Sequence, residues 1–324
     1  MALTDMKVFN DQLKSAIVER LTQNSQAFNA ASGGAILLQN AGNMGDFSQV
    51  SFWKNVSSAI RDVDAYAAQA SAAATALTQG IFSTVKAMKA FGPIVWEPNQ
   101  LTWIQNNPGD ALRVISQSLA EAMLESQVNR AIGVTRAALA NVANLTHDVS
   151  ATAGISQATL NAAHAKFGDA SQQLITQVMT GAVYHKLIAQ NITNAAQLFQ
   201  AGNVTIVDIL GKRSIVTDSP ALRITGTPNK NYVLCLTAGA VKVEPNGDFK
   251  SVIDETSGVG QTRLETKYQS EWTENVGLKG FTWDETNGGK SPVKAALETG
   301  TNWDKVWADK LCAGVVLIGD EAKD

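Results

Sequence analysis

The strongest pattern of apolar and polar positions lies just after a turn. Asn106-Asn107-Pro108-Gly109 is a stop signal, because proline fixes its own φ and disfavours helix in the residue before it. Beyond it Leu112, Ile115, Leu119 and Met123 recur at helical spacing, and Val128, Ile132, Leu139 and Val142 carry a similar face onward after a slip in phase. Arg113, Gln117, Glu121, Glu125 and Arg130 fall between them. The pattern predicts a helix over 111–142 with Asp110 as its cap and Gly133 as its weak point. At about 1.5 Å per residue it spans roughly 45 Å, longer than a compact domain is wide. Such a helix is expected to act as a spine with neighbours along its length.

Before the spine, residues 4–29 read as an amphipathic helix with Leu13, Ile17 and Leu21 on one face and Thr4 or Asp5 as cap. Gly33-Gly34 and the glycines at 42 and 45 then break the chain. A helix followed by glycine-punctuated chain predicts an arm that packs on something other than its own domain. Residues 47–66 mix β-formers with charge: Phe47, Val50, Phe52, Trp53, Val56, Ile60, Val63 and Tyr66. The Ala- and Ser-rich stretch 65–77 is helical by propensity alone. Residues 80–91 alternate, with Val85, Ala87 and Phe91 opposite Lys86 and Ala90, which predicts a half-exposed strand broken at Gly92-Pro93. Residues 47–97 therefore read as a strand-rich excursion that leaves the core and returns through Leu101, Trp103 and Ile104.

After the spine, a loop at 148–155 precedes a helix over 156–167 that stops at Gly168. Asp169 then caps a predicted helix over 170–190, with Leu174, Ile175, Val178, Met179, Val183 and Leu187 apolar. Strands are predicted at 204–210, 213–217, 232–236, 240–243, 262–272, 276–283 and 311–318, with 291–307 mixed. Helices and strands intermix without a βαβ period, so the fold class is α+β. No internal repeat is present.

Composition changes the picture in one respect. Of 324 residues 45% are hydrophobic, enough for a substantial core, but only 17% are charged, below the usual quarter. Small and amide residues fill the deficit, which suits broad protein contacts because pairing amides costs less desolvation than burying charges. Net charge is −3 with no dense basic run, which argues against a dedicated nucleic-acid binder. Cys235 and Cys312 lie in apolar runs and read as buried thiols of a reducing compartment. Neither a signal peptide nor a membrane span is legible.

The chemistry is sparse. His147, His164 and His185 have no second ligand at helical spacing and no cysteine nearby, so no metal site is predicted. Asn287-Gly288-Gly289-Lys290-Ser291 ends like a phosphate loop, but Asp284 stands where its first glycine belongs, and no apolar strand feeds it. Gly211-Lys212-Arg213-Ser214 has the same defect. Asp62 and Asp64 are paired carboxylates whose neighbours Arg61 and Lys54 make a charge cluster rather than an acid/base pair. No catalytic residue and no cofactor are predicted. Tryptophan is the odd signal: Trp53, Trp96, Trp103, Trp272, Trp283, Trp303 and Trp307 all avoid the strong helices, as either contact anchors or plugs of a sheet–helix core.

Four stretches carry a resemblance. Asn107-Pro108-Gly109-Asp110 leads into the long helix. Residues 160–169 are followed by Leu174-Ile175-Thr176-Gln177-Val178-Met179 and Val183-Tyr184-His185-Lys186-Leu187. Ile209-Leu210-Gly211-Lys212-Arg213-Ser214-Ile215-Val216-Thr217-Asp218 comes next. Gly280-Phe281-Thr282-Trp283, Thr301-Asn302-Trp303 and Lys310-Leu311-Cys312-Ala313-Gly314-Val315 close the chain. In this order they resemble the major capsid proteins of tailed bacteriophages, of the Hong Kong 97-like fold. The resemblance implies an N-terminal arm (1–46), an extended loop (47–97), a spine helix with peripheral domain (98–149), an axial domain (150–260) and a return to the peripheral domain (261–324). It implies a structural subunit that self-assembles through hexamers and pentamers into an icosahedral head around DNA that it does not bind sequence-specifically. Arm and loop would reach over neighbours, through Leu13, Ile17 and Leu21 in the arm and Trp53, Phe82, Phe91 and Trp96 in the loop. With the arm helix starting near Met1, a separate scaffolding protein is expected, beside a portal and a decoration protein, with assembly in the host cytoplasm. An encapsulin-like compartment shell of the same fold is the alternative, and an enzyme with an illegible site the third.

Overall fold

The computed structural model describes residues 3–39, 45–53, 59–69, 71–96, 102–104, 106–192, 208–209, 212–256 and 265–323. Val56, Leu101, the glycines at 42 and 211 and most of the strand expected at 204–210 lie outside the described residues.

In chain order the elements are α1 (Leu3–Ala31), β1 (Ile36–Leu38), β2 (Phe47–Trp53), β3 (Gln79–Trp96), α2 (Pro108–Ala140), β4 (Thr146–Asp148), α3 (Gln157–Ala165), β5 (Leu174–Met179), α4 (Gly181–Ile192), β6 (Asp208–Ile209) and β7 (Lys212–Val216). They continue as β8 (Arg223–Ile224), β9 (Lys230–Thr237), β10 (Val241–Pro245), β11 (Lys250–Thr256), β12 (Glu265–Leu278), β13 (Phe281–Trp283), α5 (Lys294–Leu297), β14 (Trp303–Lys305) and β15 (Gly314–Asp320). One sheet has the order β1-β10-β12-β3-β2, with β11 also paired to β12; the other has β4-β15-β9-β5-β7-β6, with β8 on β9. A small β13-β14 ribbon completes the set.

The spine is present. Its 33 residues span about 50 Å. It touches β1, β10 and β12 of the first sheet and β9 and β15 of the second. From Ala131 to Thr135 every residue is buried, so this part of the helix is enclosed on all sides. Gly133 is a point of close approach rather than a weakness: a Cβ there would meet the Glu298 carboxylate. Asp110 does not cap the helix. Pro108 occupies the first turn, where its missing N–H costs nothing, and Asn107 is the cap residue without a side-chain bond. Asp110 lies inside that turn, 3.9 Å from Arg113, where its charge still favours the helix N-terminus.

Several other expectations are corrected. α1 starts before Thr4 and Asp5, so neither is its cap. The Ala-rich 65–77 forms no helix among its described residues; they are all exposed, and a short helix without an apolar face is marginal in water. Gly92-Pro93 does not end β3. Among the described residues only β12 pairs with that stretch, so the proline needs no partner on its outer side, and a register shift between Tyr268 and Ser270 absorbs the irregularity. The predicted helix 170–190 is instead strand β5 followed by helix α4. β5 lies between β9 and β7, and a strand buried on both faces has the same unbroken apolar run as a buried helix. The two strands expected at 262–272 and 276–283 are one long strand, β12, turning at Lys279-Gly280 into β13.

The sheets also cut across the chain-order division. β10 and β11 pair with β12 across residue 260, and β15 lies at the heart of the second sheet beside β9. β9 and β15 are buried along almost their whole length, which places the main core there.

Candidate assembly surfaces

The arm and the excursion behave differently. On α1, Leu13 and Ile17 are fully buried and Leu21 nearly so. With Phe9 they pack on Ile104, Ala111, Leu119, Ala120 and Met123 of the spine region and on Phe249, Tyr268 and Trp272. Asn10 fixes the helix to β11: its Nδ2 donates to the Ser251 carbonyl at 3.1 Å, and Ser251 Oγ donates to Asn10 Oδ1 at 2.8 Å. The expectation that this face meets a neighbour is therefore corrected: Leu13, Ile17 and Leu21 face their own subunit. The chain turns off α1 at Gly33, whose φ of 66° suits glycine.

The excursion is a hairpin, β2 antiparallel to β3 from Phe47–Val85 to Trp53–Gln79. Its strands are anchored on their own subunit. Phe52 meets Trp307 edge-on at 5.5 Å, and Phe91 and Trp96 both lie 6.5 Å from the Tyr268 ring. Phe82, Phe91 and Trp96 are half-buried against their own chain, whereas Trp53 is 60% exposed. Between the strands the described residues 59–69 and 71–78 are all exposed, including Ile60 at 84%, Val63 at 72%, Tyr66 at 99% and Leu77. Sequence reasoning marked Ile60, Val63 and Tyr66 only as β-formers. The signal that could have found them is their position between two strands that pair with each other, which leaves nothing of their own chain to cover them.

Tryptophan divides the same way. Trp272, Trp283 and Trp303 are buried, and Trp283 meets Trp303 at 4.9 Å. Trp53 and Trp103 are exposed.

Where the spine crosses β12, an ion pair replaces apolar packing. Arg130 donates to Glu274 at 2.9 Å with both side chains buried, and Trp272 Nε1 donates to the other carboxylate oxygen at 2.8 Å. Lys89 on β3 reaches the same layer and donates to Ser126 Oγ at 2.7 Å. Burial, then the Arg130 charge, holds Lys89 below the usual lysine range.

The groups with chemical potential are spent on structure. Burial pushes Cys235 up to about 12 and Cys312 up to about 11, so neither is a reactive thiolate. His164 is buried beside Gln177, 3.4 Å away, and burial followed by the Lys212 charge lowers its pKa. Asp284 accepts from the backbone of Thr286 and Asn287, making the phosphate-loop look-alike an ordinary turn. Among the described residues no cluster of ligating side chains could hold a metal, and no helix is long and apolar enough to cross a membrane.

A spine helix between two sheets, with a hairpin thrown outward, defines a Hong Kong 97-like capsid shell subunit. Solved structures share the fold. The acid-stable capsid of Helicobacter pylori bacteriophage KHP30 matches at TM-score 0.53 and 11% identity, over 88% of this chain and 87% of that one. The head of Helicobacter pylori bacteriophage KHP40 matches at 0.51 and 11%, over 90% and 88%. The capsid asymmetric unit of cyanophage Pam1 matches at 0.51 and 11%, over 87% of each chain. No curated protein matches the sequence. The sequence model of the Major capsid protein 13-like family matches residues 5–316, and the chain belongs to that family. It is a structural protein of the phage capsid shell, assembling with copies of itself, and not an enzyme. Neither the compartment-shell nor the enzyme alternative is favoured.

Proposed function

We propose that this chain builds the shell as hexamers and pentamers arranged about the half of the subunit that holds the second sheet, β4 to β9 with β15. That half is the proposed axial domain; the spine with the first sheet is the proposed peripheral domain. This division follows strand pairing and replaces the continuous segments 150–260 and 261–324. The extended loop reaches over a neighbour through Trp53, Ile60, Val63, Tyr66 and Leu77. Phe82, Phe91 and Trp96 hold β3 on its own subunit, as Leu13, Ile17 and Leu21 hold α1. The carrying observation is that Ile60, Val63 and Tyr66, close together at 59–69, are more exposed than any other large apolar side chain of the described residues. Each contact can be weak, because many per subunit add through multivalency.

A scaffolding protein, a portal and a decoration protein are the further partners in this reading, with assembly in the host cytoplasm. The DNA is enclosed without sequence-specific contact, consistent with a net charge of −3. The test is electron microscopy of purified chain, with scaffold and portal co-expressed. Closed shells with hexameric and pentameric capsomers are the expected result. A persistent monomer under those conditions overturns the proposal.

A further inference from the structure

Between β3 and the spine lies a cavity of about 290 Å³, lined by Lys89, Arg130 and Lys294 together with Glu125, Ser126 and Asn129. Its charges do not balance locally. Glu274 is committed to Arg130 and Trp272 and is fully buried. Glu298 lies 3.7 Å from Lys294 but is shared with Arg136 at 3.9 Å. Among the described residues Lys89 has Ser126 as its one bonded partner, and no carboxylate lies within ion-pair distance of it. A partly buried ammonium whose nearest carboxylates, Glu274 and Glu298, act on it only from beyond ion-pair distance favours an incoming carboxylate, since pairing there is screened less than at an open surface. Exposed Ala122 lines the rim, and exposed Val293 precedes Lys294 in the chain.

The complementary charge lies on the hairpin extension. Arg61-Asp62-Val63-Asp64 is wholly exposed. Asp62 makes no hydrogen bond or ion pair with the described residues, and Asp64 spends one oxygen on the Tyr66 N–H at 2.9 Å. The apolar residues between and beside these carboxylates, Ile60, Val63 and Tyr66, also lack cover.

We propose that this cavity is the receptor for the Asp62 and Asp64 carboxylates of a second copy of this chain, with Arg61 of that copy meeting Glu125 at the rim. The proposal rests on the shell reading above and names a contact within it. Lys89 and Lys294 supply the charge, and Val63 lies against Ala122 at the rim. Because the pairing is partly buried, added salt weakens it less than it weakens an exposed pair.

Chains with one added cysteine test it, since the native Cys235 and Cys312 are both buried. Asp62→Cys and Lys294→Cys chains, one carrying a mass tag, are co-assembled and oxidised. A disulfide-linked mixed dimer in the particles supports the proposal. Particles without it, or a D62C/K294C double variant that closes within one chain, overturn it. Charge reversal is the second arm, at positions that leave the fold intact. Lys294→Glu alone, or Asp62→Lys with Asp64→Lys, raises the subunit concentration needed for assembly roughly fivefold. Combining them returns it to within about twofold of the parent. Losses that simply add overturn the proposal. If the parent chain forms no particles, the shell reading itself has failed, and this contact with it.

Discussion

The N-terminal helix and the hairpin extension both leave the spine region, and both carry apolar side chains, yet only one finds cover at home. Leu13 and Ile17 are enclosed by the spine and β12, whereas Val63 and Tyr66 are exposed. The difference lies in what each segment pairs with. α1 lays an apolar face along another helix and β11. The strands β2 and β3 satisfy each other's backbone and carry the residues between them away from the body. A segment whose backbone partner is its own return strand is free to present side chains elsewhere; a helix with one apolar face is not.

Substitutions sharpen this contrast. The largest effect is expected at the ion pair that locks the spine to β12. Glu274→Leu leaves Arg130 buried without a partner and Trp272 without its acceptor, costing about 3–5 kcal/mol in urea denaturation of the unassembled chain. Ile17→Ala removes buried methyl groups from the α1 seam and costs about 2–4 kcal/mol in the same measurement. Gly133→Ala drives a methyl group against Glu298 and costs about 1–3 kcal/mol. Tyr66→Ser leaves subunit stability within about 0.5 kcal/mol, because the ring touches little of its own chain, while lowering particle yield. If Tyr66→Ser destabilises the free subunit as much as Ile17→Ala does, the contrast between the two regions is broken.

The smallest effect is a pH dependence. Burial and the Lys212 charge lower the folded pKa of His164 below its ordinary 6.5, so the unfolded chain takes up the proton first. Stability is therefore full above that pH and declines as pH falls below 6.5 towards the folded value. His164→Gln flattens this part of the profile, measured as urea midpoints across the range.

Much of the fold was legible because its signals are local. The Pro108 turn and the helical spacing beyond it specify the spine, and alternation around Val85 and Ala87 specifies β3. β5 was not legible: Leu174 to Met179 is buried on both faces, and its apolar run fits either period. Nor was the destination of α1. The spacing of Leu13, Ile17 and Leu21 says that a face must be covered, but not whether the covering surface belongs to the same chain. The exposed residues of the candidate surface were masked by the same ambiguity: Ile60, Val63 and Tyr66 look like strand residues until the strands on either side are seen to pair. The buried Arg130 read as a polar-face residue because its partner, Glu274, lies far along the chain.

The most direct test of the central claim is hydrogen exchange on unassembled subunits and on purified shells. The amides of α1 from Phe9 to Leu21 should be protected already in the free subunit and change little on assembly. Those of residues 59–69 should exchange freely in the subunit and become protected in the shell. Protection of α1 that arises only in the shell, with 59–69 unchanged, would contradict the account.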